Sequence, residues 1–211
     1  MSYGIIAYAV SLAKVEGALG KSNAKRGLLG RIFGPSTGSL VEKIKQKSAY
    51  RFEQDEDDLD EEDEAQALTL EQALVDLLDG NELHSSYGDK YGYALELLCD
   101  HFGECLDSSA WDSMRIDWAN EVQEQMEQAG IDENAVSLTD HLMFRGPPIQ
   151  IPNDSPSIGF LRSSEIGRAA NAINAADLSI VDEEVEESVM QIRAWLRRCG
   201  ELNCDLVCFY Y

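Results

Sequence analysis

Gly20, Lys21 and Ser22 spell the end of a phosphate-binding P-loop, in which successive backbone N–H groups wrap phosphates at a helix N-terminus. Such a loop needs a second glycine four intervening residues earlier, where Val15 stands. The nearest one, Gly17, leaves the loop two residues too short, and "SLAKVE" separates it from the apolar strand that should feed it. The stretch "VEGALGKSNAK" reads as a lysine-bearing surface turn between helices.

Metal chemistry would draw on "CDHFGEC" (99 to 105) and "CGELNCDLVC" (199 to 208). On a helix Cys99 and His101 project about 200° apart, so only His101 and Cys105 could share an ion, which is too few ligands. Cys204 and Cys208, read on one strand, lie about 13 Å apart at ~3.3 Å per residue. Cys99, Cys105 and Cys199 fall on apolar stripes, as small core residues do. Acid–base chemistry has one candidate cluster, Asp140 and His141 with Arg145, near the aromatic residues Tyr87 and Tyr91; these five define a possible pocket. None of the three histidines belongs to a zinc-protease or triad motif. The sequence assigns no catalytic residue, no metal and no cofactor.

The elements that would have to position such groups are mostly helical. "TLEQALVDLLDG" places Leu70, Ala73, Leu74, Leu77 and Leu78 on one face, with Thr69 and Gln72 as a capping box and Gly80 as the stop. Residues 91 to 106 repeat that apolar periodicity, and Asp117 to Ala129 forms a more polar helix ended by Gly130. Val181, Val185, Val189, Ile192, Leu196 and Cys199 stripe a long helix that runs into "DLVCFYY". That last stretch and "YGIIAYAV" are apolar on both alternating faces, which predicts central strands sharing one sheet. "RGPPIQIPNDSP" is a turn-rich connector, followed by an extended piece capped into a helix at Ser163 or Ser164.

The chain has 211 residues, of which 39 are acidic and 17 basic, giving a net charge of −22. Its length fits one domain. The charge is uneven: nine Lys or Arg against two Glu up to Arg51 leave +7 there and −29 beyond. Opposite charges within one domain suffice for the basic arm to pack on the acidic body. Residues 53 to 64, "EQDEDDLDEEDE", hold ten carboxylates, a density that predicts a mobile acidic loop over about 53–68. Such a surplus repels nucleic acid and anionic membranes and attracts cationic partners. Five cysteines without a secretory signal predict a cytoplasmic protein.

Four stretches together resemble the YfbM-like family of uncharacterised bacterial proteins: "YGIIAYAV", "NELHSSYGDKYGYALELL", "RGPPIQIP…GFLRSSEIGRAANAI" and "IRAWLRRCGELNCDLVCFYY". The resemblance implies an α+β domain whose terminal strands share a sheet, and it carries no activity with it. The acidic insertion departs from the family pattern.

The expectation is a mostly helical single α+β domain acting as a non-enzymatic, acidic, cytoplasmic binding protein. Its partner would be a basic protein, as for an immunity protein or inhibitor of a cationic toxin. The expected contacts are Asp55, Glu56, Asp57, Asp58, Asp60, Glu61, Glu62, Asp63 and Glu64, together with Asp182, Glu183, Glu184, Glu186 and Glu187. The alternative is a small enzyme or ligand-binding domain with its pocket near Tyr91, His141 and Arg145.

Overall fold

A computed structural model describes residues 4–20, 37–57, 67–112, 114–115, 117–152, 154 and 156–211, and of Glu56 and Asp57 the backbone only. The fold is α+β. Its residues group into two compact units that alternate along the chain: Met1–Leu12, Gly103–Pro148 and Ser155–Tyr211 form the first, Ala13–Phe102 and Ile149–Asp154 the second.

The first unit is built on a four-stranded antiparallel sheet. Strands β1 (Ile5–Val10), β2 (Gly103–Cys105), β3 (Ser157–Leu161) and β4 (Asp205–Tyr210) lie in the order β2-β1-β4-β3. The two terminal strands are central neighbours, in register from Ile5 opposite Tyr210 to Val10 opposite Asp205. Both faces of this central pair are buried, as their continuous apolar character requires. On one face Ile5, Ala7, Ala9, Leu206 and Cys208 join a core with apolar residues of three helices. With α1 (Leu12–Ala18) and four helices of the second unit numbered before them, these are α6 (Trp118–Gln128), α7 (Ser163–Ala175) and α8 (Glu183–Leu202).

Helix α8 buries the expected stripe from Val185 to Cys199, ends at a left-handed Asn203 and passes directly into β4. Helix α6 ends before Gly130, whose φ of 84° suits a residue without a side chain. Asp205, 8% exposed, ties three elements together. One carboxylate oxygen accepts from the Leu12 N–H at 2.7 Å and the other from the Ser163 N–H at 2.8 Å, so a single side chain serves the first turns of α1 and α7. Neither Ser163 nor Ser164 is the cap of α7. Arg162 holds that position, and the Glu165 carboxylate accepts its N–H at 2.7 Å.

The second unit packs α2 (Thr37–Lys47), α3 (Ala49–Asp57), α4 (Leu70–Asp79) and α5 (Gly88–Phe102). In α4 all five predicted apolar residues are buried, the Thr69–Gln72 capping box is formed, and Gly80 closes the helix at φ 72°. Helix α5 stops at Phe102, earlier than its periodicity predicts, because Gly103 to Cys105 pair with Val10 to Tyr8 as β2. Cys105 is consequently exposed on an edge strand instead of buried on a helix stripe. The acidic run also begins differently: residues 53 to 57 continue α3, and Asp58 to Gln66 lie outside the described residues. No helix of the described residues is long and apolar enough to cross a membrane.

Candidate functional site

The candidate pocket residues divide between the units. Asp140 and His141 stand in a π-helical turn, Leu138–Met143, which packs against β3 of the first unit. The approach is so close that a Cβ at Gly159 would stand 2.1 Å from the Leu142 backbone. His141 Nδ1 accepts the Ser137 N–H at 3.0 Å, which fixes its proton on Nε2 in the neutral ring. Burial, then the nearby Arg145 guanidinium, lower its pKa below the ordinary histidine value. Asp140 is exposed and makes no hydrogen bond to the imidazole.

Arg145 is held by structure around it. It donates to both Glu165 oxygens at 2.9 and 3.0 Å and to the Phe160 carbonyl at 2.8 Å, with its guanidinium 4.3 Å from the Phe160 ring centre. That fork holds the Glu165 carboxyl below the usual carboxylate range. Arg145 thus clamps β3 to the start of α7.

Tyr87 and Tyr91 belong to the second unit. Tyr91 is fully buried; its hydroxyl accepts the His84 N–H at 3.2 Å and donates to Asp76 at 3.1 Å. Burial pushes its pKa up. Tyr87 stacks edge-on against His84. Cys99, Cys199 and Cys208 have thiol pKa values pushed up by burial, which keeps them protonated and unreactive. Among the described residues no three His, Cys, Asp or Glu side chains are placed to hold a metal ion.

Three cations of the basic arm are paired inside their own unit, while Lys21, Lys25, Arg26 and Arg31 lie outside the described residues. Lys45 pairs with Glu71 at 2.5 Å and Lys47 with Asp100 at 3.0 Å, while Arg51 forks onto Glu96. Asp55, expected on a partner-binding surface, is instead buried: it pairs with Lys90 and accepts the Leu70 N–H at 2.7 Å. Burying a carboxylate is tolerated only with such compensation, which explains why α3 persists into the acidic run. Of the other expected contacts in that run, Glu56 and Asp57 lie on the α3 backbone, and Asp58, Asp60, Glu61, Glu62, Asp63 and Glu64 fall outside the described residues.

The second acidic patch is different. Asp182 is engaged by Gln125, giving its N–H to the amide oxygen and accepting from the amide nitrogen. Glu183, Glu184, Glu186 and Glu187 are exposed on the first turns of α8, and none forms an ion pair among the described residues.

Beside that patch the first unit has a groove of about 250 Å³. Asp112, Met114 and Trp118 line it from the segment entering α6, and Glu184, Glu187 and Ser188 from α8. Arg115 also lines it, paired with Glu121 at 3.0 Å and stacked 5.3 Å from the Trp118 ring centre. Ser188 is 1% exposed, and its hydroxyl has no hydrogen-bond partner among the described residues. The sequence displays the spacing of Glu184, Glu187 and Ser188, but Asp112 and Trp118 join them only through the fold. A second concavity of about 360 Å³ between α7 and α8 is rimmed by Arg193 and Arg197 and lacks this anionic character.

These features describe an acidic α+β protein, mostly helical, with a four-stranded antiparallel sheet and a carboxylate face that forms no ion pair among the described residues. The chain belongs to the family described as Domain of unknown function (DUF7691), whose model matches residues 1–211. No curated protein and no solved structure matches it.

Proposed function

We propose that this protein is a non-enzymatic binding protein that holds a basic protein partner through its anionic surface, in the manner of an immunity protein or inhibitor of a cationic toxin. One observation carries the reading: Glu183, Glu184, Glu186 and Glu187 stand together, exposed and without counter-ions among the described residues, in a chain whose net charge is −22. Much of the described basic arm is occupied by carboxylates of its own unit. Such fields raise association rates by about tenfold to a thousandfold.

The test is association kinetics with a captured partner, measured from about 0.05 to about 0.5 M salt. The on-rate is expected to fall steeply with salt and to fall again in the E183Q/E184Q/E186Q/E187Q variant, with little change in the off-rate. A salt-independent on-rate, or recovery only of neutral and acidic proteins, overturns the proposal.

A further inference from the structure

We infer that the groove between α8 and the segment entering α6 is a socket for a single arginine side chain of the partner. The inference rests on the reading of the protein as a holder of basic proteins, and it names the place and the chemistry of the contact.

Three features select the guest. Charge is the first: Glu184 and Glu187 line the groove without ion-pair partners among the described residues, and Arg115, the one cation among its described lining residues, is paired with Glu121. Glu184 and Glu187 sit three residues apart on α8 and Ser188 four after Glu184, so all three share one helix face. The second feature is the unpartnered Ser188 hydroxyl. A buried polar group without a partner is costly, and Ser188 is one of the residues that line the groove. Its lone pairs can accept, which suits a guest made only of donors.

Shape is the third. The groove is smaller than the roughly 300–1,000 Å³ typical of small-molecule clefts, and Met114 and Trp118 offer an apolar wall for an alkyl stem. An ammonium ion carries three donors at one point, whereas a guanidinium spreads five over a planar fork and is more weakly hydrated. Two carboxylates plus a hydroxyl acceptor on one helix face match the fork. Arginine is also among the residues that most often anchor protein interfaces.

The probes are acetyl-Gly-Arg-Gly-amide, its neutral citrulline counterpart and an oligo-arginine peptide, titrated into the full chain and followed by NMR. The arginine tripeptide is expected to shift the Trp118 indole and Ser188 amide signals saturably, and the citrulline peptide to leave them unmoved. E184Q/E187Q is expected to weaken binding about tenfold or more. Ser188→Ala should weaken binding while raising the unfolding midpoint, because it removes an unsatisfied buried hydroxyl and inserts a better helix former. A merely structural serine would not give that opposed pair of effects.

If the tripeptide binds with signals elsewhere, or binds E184Q/E187Q equally well, the socket is overturned and the broader reading of a basic partner survives. If the oligo-arginine peptide also fails to bind, both fall.

Discussion

Replacing Arg51 by alanine tests whether the basic arm is an internal counter-ion or a surface free for other molecules. Its guanidinium joins α3 to α5 by a fork onto Glu96, with Nη2 2.7 Å from Oε1. The carboxylate is 1% exposed and the guanidinium side chain 19%. Removing one partner of a buried pair costs about 3–5 kcal/mol, and access of water from the arginine side places this case near the lower end. Glu96→Ala should cost less, about 2 kcal/mol, because the orphaned cation can reach solvent. Replacing both by methionine should recover most of the loss, since a well-packed apolar pair is often as stable as a buried ion pair.

Urea unfolding read by two probes locates the effect. Trp111, Trp118 and Trp195 all lie in the first unit, so fluorescence follows that unit, while circular dichroism sums the helices of both. The Arg51→Ala midpoint should drop in the dichroism curve. If the two curves separate, unfolding is not two-state and each unit takes its own midpoint. A loss below about 1 kcal/mol, or a double variant as unstable as Arg51→Ala, refutes the internal role of the arm.

Gly159→Ala would drive a Cβ to 2.1 Å from the Leu142 backbone, which has no rotamer to yield; a loss of about 3 kcal/mol in urea unfolding is expected. Asp205→Ala strands the N–H groups of Leu12 and Ser163 and should cost about 3 kcal/mol, whereas Asp205→Asn, keeping one acceptor oxygen, should cost roughly half as much by the same measurement. The depressed pKa of His141 means that its stabilising contribution is full above the unfolded value of about 6.5 and is lost as pH falls through the folded value. Its ring protons should titrate below that value by NMR, and His141→Gln, compared with the parent at pH 7 and 5, should lose less stability on acidification. Added salt should raise the unfolding midpoint of the free protein by screening the α8 carboxylates while slowing partner association, and a common sign for both would contradict the assignment of those groups.

What was legible in the sequence follows the range of the interaction that decides it. The α4 capping box needs only Thr69 and Gln72, and the burial of α4 and α8 only their periodicity, so these were readable from one segment at a time. The shared sheet was readable because β1 and β4 are apolar on both faces, a property of each strand by itself. Strand β2 was not: "GEC" has no strand character, and its pairing with Tyr8 to Val10 overrides the helical pattern leading up to it. The burial of Asp55 escapes a local reading for the same reason, because Lys90 and the Leu70 N–H, which make it tolerable, lie 35 and 15 residues away. In the candidate pocket the sequence showed the residue types but not that Glu165 and the Phe160 carbonyl occupy Arg145.

The carboxylates at the start of α8 are only partly explained by the needs of the helix. Glu183, Glu184 and Glu186 in the first turn do complement the positive end of the macrodipole. Glu187 lies beyond that turn, three residues after Glu184 and four after Glu183, where like charges on a helix oppose each other by about 0.2–0.5 kcal/mol per pair. Nothing inside the described fold offsets that repulsion, in contrast to Glu71, Glu96, Asp100 and Glu165, each of which has its own lysine or arginine. The unpartnered Ser188 hydroxyl adds a second local penalty on the same face. On the proposed reading both would be relieved by one event, the arrival of a cationic donor from outside, whereas a folding role for these residues relieves neither.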